Sequence, residues 1–253
     1  MYLPLQARSA VDQSRFAVNQ MNKAPAVSFV IPCRNDIDML ARCLGTLATL
    51  APRPRIVVAD ASDDREKVRG TCERHGAQLV HVERPCRGAQ LDAGAAVAGG
   101  DILVFHHADS EFSQAHYNSL LSLFARDPLL GGGAFLKDLA ALYPGLGWLR
   151  PLHCLYTCHV GTMYGDQSVF VAREVFEQLG GFGELPLMED VRFSARLRDA
   201  VRVRVIGPPL RSSRRKFDRD GVWRRKLENM LFVTLYRLGV CPDKLARMYY
   251  REG

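Results

Sequence analysis

The stretch DILVFHHADSEF, Asp101–Phe112, decides how the chain folds. Ile102 to Phe105 is a continuous apolar run of strand length, the pattern of a strand covered on both faces. The run ends in His106, His107, Ala108, Asp109 and Ser110, so a buried strand delivers two imidazoles and a carboxylate to its carboxyl tip. Neighbouring strand residues point to opposite faces. His106 and His107 therefore diverge, while His107 and Asp109 share a face. An oxygen from Asp109 suits Mg²⁺ or Mn²⁺ bridging phosphate oxygens. His107 is either a ligand of such a metal or a hydrogen-bonding neighbour of the ribose or of a ligand, and the second role is favoured.

The same strand pattern recurs on either side. Val27–Ile31 is a β-rich run that Pro32 is expected to stop. Apolar spacing at Ile37, Leu40, Leu44 and Leu47 predicts a helix over 36–50 with Asp36 at its N-cap. Arg55–Ala59 is a second strand ending at Asp60. A helix over 63–75 follows, with Gly76 placed as its C′ glycine. A third strand is expected over Gln78–Val82 and a small-residue helix over Gly88–Ala98. Strands alternating with helices from Val27 to Phe105 indicate βαβ units and a mostly parallel α/β sheet. Ligands of such sheets bind beyond the carboxyl ends of the strands, where Asp60 and Asp109 lie.

Beyond Phe112 the pattern predicts helices over Tyr117–Ala125, Leu146–His159, Arg173–Leu179 and Glu189–Arg198. Strands are expected over Gly133–Leu136, Ser168–Ala172 and, at an edge, Val201–Ile206. Val222–Leu238 reads as a basic amphipathic helix. The expected organisation is a loose arm over 1–25, an α/β domain over 26–210 and a basic helical extension over 211–253 packed on it.

Of the 253 residues, 47% are hydrophobic and 24% charged, an ordinary globular composition. The net charge of +7 favours an acidic partner: a nucleotide, a phosphorylated donor or an anionic lipid surface. Nucleic acid is disfavoured because the basic residues are not interleaved with an aromatic stacking platform. Seven cysteines without a framework point to a reducing cytoplasm. Residues 1–25 lack the apolar block of a signal peptide, and no run reaches the ~18 apolar residues of a membrane span. Cys154 and Cys158 share a helical face, but no second ligand pair follows, so they read as small core residues rather than zinc ligands.

Three further segments carry chemistry. Asp60 at a strand end can accept hydrogen bonds from a base or ribose, or can cap the segment after it. Arg87-Gly-Ala-Gln-Leu-Asp-Ala-Gly94 combines small residues, a helix N-terminus and a guanidinium, which suit a diphosphate as well as close helix–sheet packing. Its spacing is not that of a dinucleotide-binding loop. In Leu187-Met-Glu-Asp190 two carboxylates open a helix, where one can serve as a general base or both can simply suit a first turn.

The order of these segments resembles the nucleotide-diphosphate-sugar glycosyltransferases of the inverting family two, which have the GT-A fold. Phe29-Val-Ile-Pro-Cys-Arg-Asn35 is similar to that family's strand-Pro-x-x-Asn opening. Tyr164-Gly-Asp-Gln167, Gly180-Gly-Phe182, Leu185-Pro-Leu-Met-Glu-Asp190 and the Arg214–Arg224 segment resemble the bacterial radical-SAM/selenodomain-associated transferases. The resemblance spans Val27 to Tyr249. It implies that Pro32, Asn35, Asp60, Arg87, Gly88, Asp92, His107 and Asp109 bind the donor, with Asp109 holding Mn or Mg. It implies Asp190 as the catalytic base, with Asp166, Gln167 and Glu189 orienting sugar or acceptor. Arg214, Arg215 and Trp223 would close over the diphosphate. The donor would be a UDP-, GDP- or dTDP-sugar and the acceptor a hydroxyl. His107 stands where the wider family has the first acid of Asp-x-Asp, and Asp92 where Asn is more usual. A sugar nucleotidyltransferase and a catalytically degenerate nucleotide-binding regulator are the alternatives. A homodimer and a peripheral contact with the inner membrane face are the further partners considered.

Overall fold

A computed structural model describes residues 25–138, 148, 150–159, 162–211 and 222–250. Seven strands form one sheet in the order β3-β2-β1-β4-β6-β5-β7. They are β1 (Val27–Cys33), β2 (Arg55–Asp60), β3 (Gln78–His81), β4 (Ile102–Phe105), β5 (Leu130–Lys137), β6 (Val169–Ala172) and β7 (Arg202–Leu210). All neighbours pair in parallel except β6, which runs antiparallel to β4 and β5. The late strand is at an edge, as its alternating arginines suggest.

Helices cover both faces. Leu40, Leu44 and Leu47 of α1 (Ile37–Leu47), Val68 and Cys72 of α2 (Arg65–His75) and Tyr117 and Leu120 of α4 (Gln114–Arg126) pack on Phe29, Ile31, Val58 and Val104. On the other face, Leu91 and Ala95 of α3 (Arg87–Val97), Phe176 of α6 (Arg173–Leu179) and Phe193 and Leu197 of α7 (Glu189–Ala200) pack on Val30, Val57, Leu103 and Phe105. The alternation within β1 and β4 is the period of two expected of strands buried on both sides. α5 (Arg150–His159) packs near β7. A C-terminal hairpin of α8 (Val222–Arg237) and α9 (Pro242–Tyr249) closes a third cluster, in which Phe232, Val233 and Leu245 bury Met188 and Val191.

The structure corrects some of the sequence expectations and bears out others. β1 does not stop at Pro32 but runs on to Cys33. The Val30 carbonyl accepts from His106 on the β4 side and the Cys33 carbonyl accepts from Ala61 on the β2 side. Pro32 shares the side of Val30, where pairing with β4 has already ended, so its missing N–H removes no ladder bond. Asp36 does occupy the N-cap position of α1, but makes no side-chain cap bond. Gly76 and Gly180 end α2 and α6 in the left-handed conformation. α9 had no counterpart in the sequence reading. α8 is not amphipathic in the expected sense, because apolar residues lie on two opposite sides of it.

Gly131, Gly132 and Gly133 let β5 sit tightly between β6 and β7. A Cβ on Gly133 would lie 1.9 Å from the Arg204 carbonyl oxygen and 2.8 Å from the Phe170 ring. Gly133→Val should therefore destabilise the protein by about 1–3 kcal/mol. Gly70 lies within α2 with nothing within 4 Å of an added Cβ. Gly70→Ala should stabilise by about 0.5–1 kcal/mol, so the two urea unfolding midpoints should move in opposite directions.

Candidate active site

Alternation along β4 sorts the two histidines. Ile102 and Val104 face the α1 layer, and His106 follows them there, fully buried against Phe29 and Phe112. Its Nδ1 lies 2.7 Å from the Ser168 hydroxyl, and burial pushes its pKa down to about 4, so it is a neutral core residue. His107 takes the opposite face, towards α3 and α7. The Arg87 guanidinium donates to His107 Nε2, which leaves the ring proton on Nδ1, 3.9 Å from Asp109 Oδ1. Arg87 Nε is also 3.5 Å from Glu189 Oε1. One cation at the first turn of α3 thus joins the end of β4 to the start of α7.

Glu189 and Asp190 are aimed by an unusual backbone. Met188 is left-handed, with φ +70°, and its side chain is buried in the C-terminal cluster. This conformation costs a non-glycine residue about 1–2 kcal/mol and is held by surrounding packing. Val191 N donates to Asp190 Oδ1 at 2.8 Å, and Gly165 N to Oδ2 at 3.4 Å. Burial, helped by the neighbouring Glu189 charge, raises the Asp190 pKa to about 6 against the opposing pull of Arg87 and the two backbone donors.

The loop before α7 is fixed by Asp92. Its two carboxylate oxygens accept from Phe182 N at 2.8 Å and Gly183 N at 2.7 Å. Gly180, Gly181 and Gly183 all have positive φ. Gly88 must lack a side chain, because a Cβ there would lie 2.0 Å from the Gly183 carbonyl oxygen. Gln167 is likewise turned inward: its amide bridges Phe135 O and Tyr164 N, both at 3.0 Å. Asn35 is left-handed, and its amide exchanges two bonds with Asp63, stitching the turn after β1 to the turn after β2. Asp92, Gln167 and Asn35 are therefore engaged as braces within the fold. The Asp166 carboxylate pairs with Lys137 at 2.7 Å, and Lys137 sits over the Tyr164 ring.

A cleft of about 270 Å³ gathers Arg87, His107, Asp109, Asp166, Glu189 and Asp190. Its far wall is Asn229, Phe232 and Val233 of α8 with Tyr249 of α9. A larger cavity, about 930 Å³, lies between α1 and the loop after β4, and Asp109 borders it too. Asp60 lines neither cavity. It is buried at the end of β2, on the same sheet edge, with Ser62 N bonded to Oδ1 at 3.1 Å and His81 Nδ1 3.3 Å from Oδ2. With strands about 4.8 Å apart, β2 lies about 10 Å from β4, a span that a nucleoside diphosphate can bridge. Pro32 sits on β1 between them. Arg214 and Arg215 lie outside the described residues, as do the side chains of Trp223 and Cys158. Cys154 is half-buried, its thiol 3.9 Å from the Val205 carbonyl.

Sequence reasoning missed Lys137, Tyr249 and the α8 residues of the far wall. Lys137 carried one weak signal, a lone cation ending an otherwise apolar strand. The wall carried none, because it arises from the folding-back of the C-terminal hairpin.

Asp109 offers a hard oxygen, and His107, its Nε2 lone pair taken by Arg87, stands beside it as a hydrogen-bonding neighbour and not as a second ligand. Among the described residues no group of three metal-ligating side chains exists. That donor set fits a divalent ion held largely by substrate phosphates and water, and does not suit one caged by protein alone.

Residues 28–136 match the family model described as Glycosyl transferase family 2. No curated protein matches the chain significantly in sequence. Among solved structures, the mannosyltransferase PcManGT from Pyrobaculum calidifontis, in complex with GDP-Man and Mn²⁺, is 21% identical with TM-score 0.65, covering 95% of this chain and 74% of that one. TarS 1–349 of S. aureus, in complex with UDP-GlcNAc, is 13% identical with TM-score 0.57, covering 74% and 58%. Glucosyl-3-phosphoglycerate synthase from Mycobacterium tuberculosis is 20% identical with TM-score 0.53, covering 85% and 81%. The seven-stranded, mostly parallel sheet with helices on both faces is the GT-A fold of glycosyltransferases, and the family match covers its first five strands almost entirely.

Proposed function

We propose that the protein is a glycosyltransferase that moves a sugar from a nucleoside-diphosphate donor to an acceptor hydroxyl with inversion. The observation that carries this reading is Asp190: a carboxylate raised to about 6, set across one cleft from Arg87, His107 and Asp109. Such a group is largely ionised at neutral pH yet basic enough to take a proton. The acceptor oxygen bonds to the anomeric carbon while Asp190 receives its proton. The bond from that carbon to the diphosphate oxygen breaks, and the nucleoside diphosphate leaves with the electron pair. Arg87 lies where it can meet the departing negative charge. Asp109, with His107 beside it, would hold a divalent metal, which when bound supplies further positive charge to the diphosphate. Asp60 and Pro32 supply the base-side edge. Asp166, with Lys137, and the aromatic wall supply the acceptor side.

The neighbours support the donor class. PcManGT binds GDP-Man with Mn²⁺ and TarS binds UDP-GlcNAc. Against a degenerate binding module stands the burial of Asp190, an energetic cost that nucleotide binding alone does not require. Against a nucleotidyltransferase stands the first turn, short and closed by the Asn35–Asp63 pair.

Asp190→Asn should lower turnover by about 10²–10⁴-fold while leaving nucleoside-diphosphate affinity unchanged by calorimetry. Retained turnover would remove Asp190 from the base role. In the wild type, kcat/KM should rise with pH through about 6 and then level off, because the base must be ionised. Stability has the opposite sign. A carboxyl raised in the folded state favours folding most below its unfolded value, and that contribution is lost as pH climbs past about 6. Asp190→Asn should thus be more stable than wild type at neutral pH, by on the order of 1–3 kcal/mol, with the gap closing in acid.

A further inference from the structure

The charge of the chain is not spread evenly. Residues 211–253 hold twelve Lys or Arg and five Asp or Glu, a net of +7. Residues 1–210 hold twenty-two of each and are neutral. All the excess positive charge therefore sits on the segment that carries the α8–α9 hairpin.

That hairpin also carries an exposed apolar face. In α8 and the residue after it, Leu227, Met230, Leu231 and Leu238 are 59%, 59%, 55% and 77% exposed. Leu238 N still bonds to Thr234 O, so it continues the helical path. At ~100° per residue the four fall within an arc about 100° wide. The opposite arc holds Phe232 and Val233, buried against Met188, Val191 and Leu245. A helix on the surface of a self-sufficient monomer puts polar residues on its outer side. α8 puts leucine and methionine there, between clusters of arginine and lysine in the same segment.

We propose that the outward face of α8 docks the protein on an anionic lipid bilayer. An interfacial helix buries an apolar face at the level of the headgroups while flanking cations meet anionic lipids, and α8 offers both components. A second copy of this face would match the apolar stripe but oppose one +7 segment with another. Nucleic acid would match the charge but leave the aliphatic stripe uncovered. No helix among the described residues is long and apolar enough to cross a membrane, so the contact is lateral. The inner side of the same helix lines the cleft through Asn229, Phe232 and Val233. The bilayer would then lie about one helix diameter, ~10 Å, from the chemistry.

The test is flotation of the full chain with vesicles of phosphatidylcholine alone or of phosphatidylcholine with phosphatidylglycerol. Binding is expected only to the anionic vesicles and should weaken in high salt. The double variant Met230→Glu, Leu231→Glu should bind them at least about tenfold more weakly, with an unchanged unfolding midpoint, because both side chains face outward. Quenching of the wild-type tryptophans by brominated lipid gives a readout that needs no variant, since Trp223 lies four residues before Leu227 on α8. Three results would overturn the proposal. One is absence of flotation and quenching with anionic vesicles. Another is binding that the double variant leaves intact. The third is a concentration-dependent dimer that the variant dissolves while vesicles capture nothing.

Discussion

A buried acid and a half-buried one, side by side, need a counter-charge, and Arg87 supplies it. Glu189 and Asp190 open α7 within the cleft, and their mutual repulsion and burial are opposed mainly by one guanidinium at the start of α3. Much of the surrounding architecture serves to hold these two helix ends in opposition. Asp92 pins the loop that leads into α7 onto the body of α3. The Gln90 amide ties α3 to the tips of β1 and β2 through Cys33 O and Ala59 O, both at 2.8 Å. Ser194 Oγ accepts from Met163 N at 3.0 Å and donates to Met163 O at 2.9 Å, locking α7 to the segment that leads into the Gly165 turn.

The same constraint explains the strained residue. An ordinary capping residue before Glu189 would bring the chain into α7 from a different direction. Met188 takes a left-handed backbone instead, and the C-terminal hairpin covers its side chain. The hairpin is therefore part of the site twice over, as a wall of the cleft and as the packing that keeps Met188 in place.

Features with local causes were legible in the sequence. The strand at Ile102–Phe105, the divergence of His106 and His107, the glycine cap of α2 and the acids at the start of α7 all follow from period, propensity or neighbour chemistry. The sheet's mostly parallel character followed from alternation, but the reversed direction of β6 did not, since a four-residue apolar strand carries no mark of its direction. Residue type alone could not separate the acids and amides that face the cleft from those turned into the fold. Asp92 and Gln167 have the chemistry of substrate ligands, and only contacts 90 and 32 residues away in sequence show them bonded to the chain itself. Asp60 was expected beside Asp109 and Asp190. It shares their sheet edge but not their cleft, because β1 stands between β2 and β4.

The Asp92 clamp has a thermodynamic corollary. Three glycines in one short loop would ordinarily sample many conformations and would have to be frozen when a ligand arrives. Here two backbone amides are already tied to a carboxylate, and the Arg192 and Arg196 guanidiniums hold the carbonyls of Phe182 and Gly181. The entropy of that segment is surrendered as the chain folds. Ligand affinity at the neighbouring cleft is accordingly spared the cost of immobilising it.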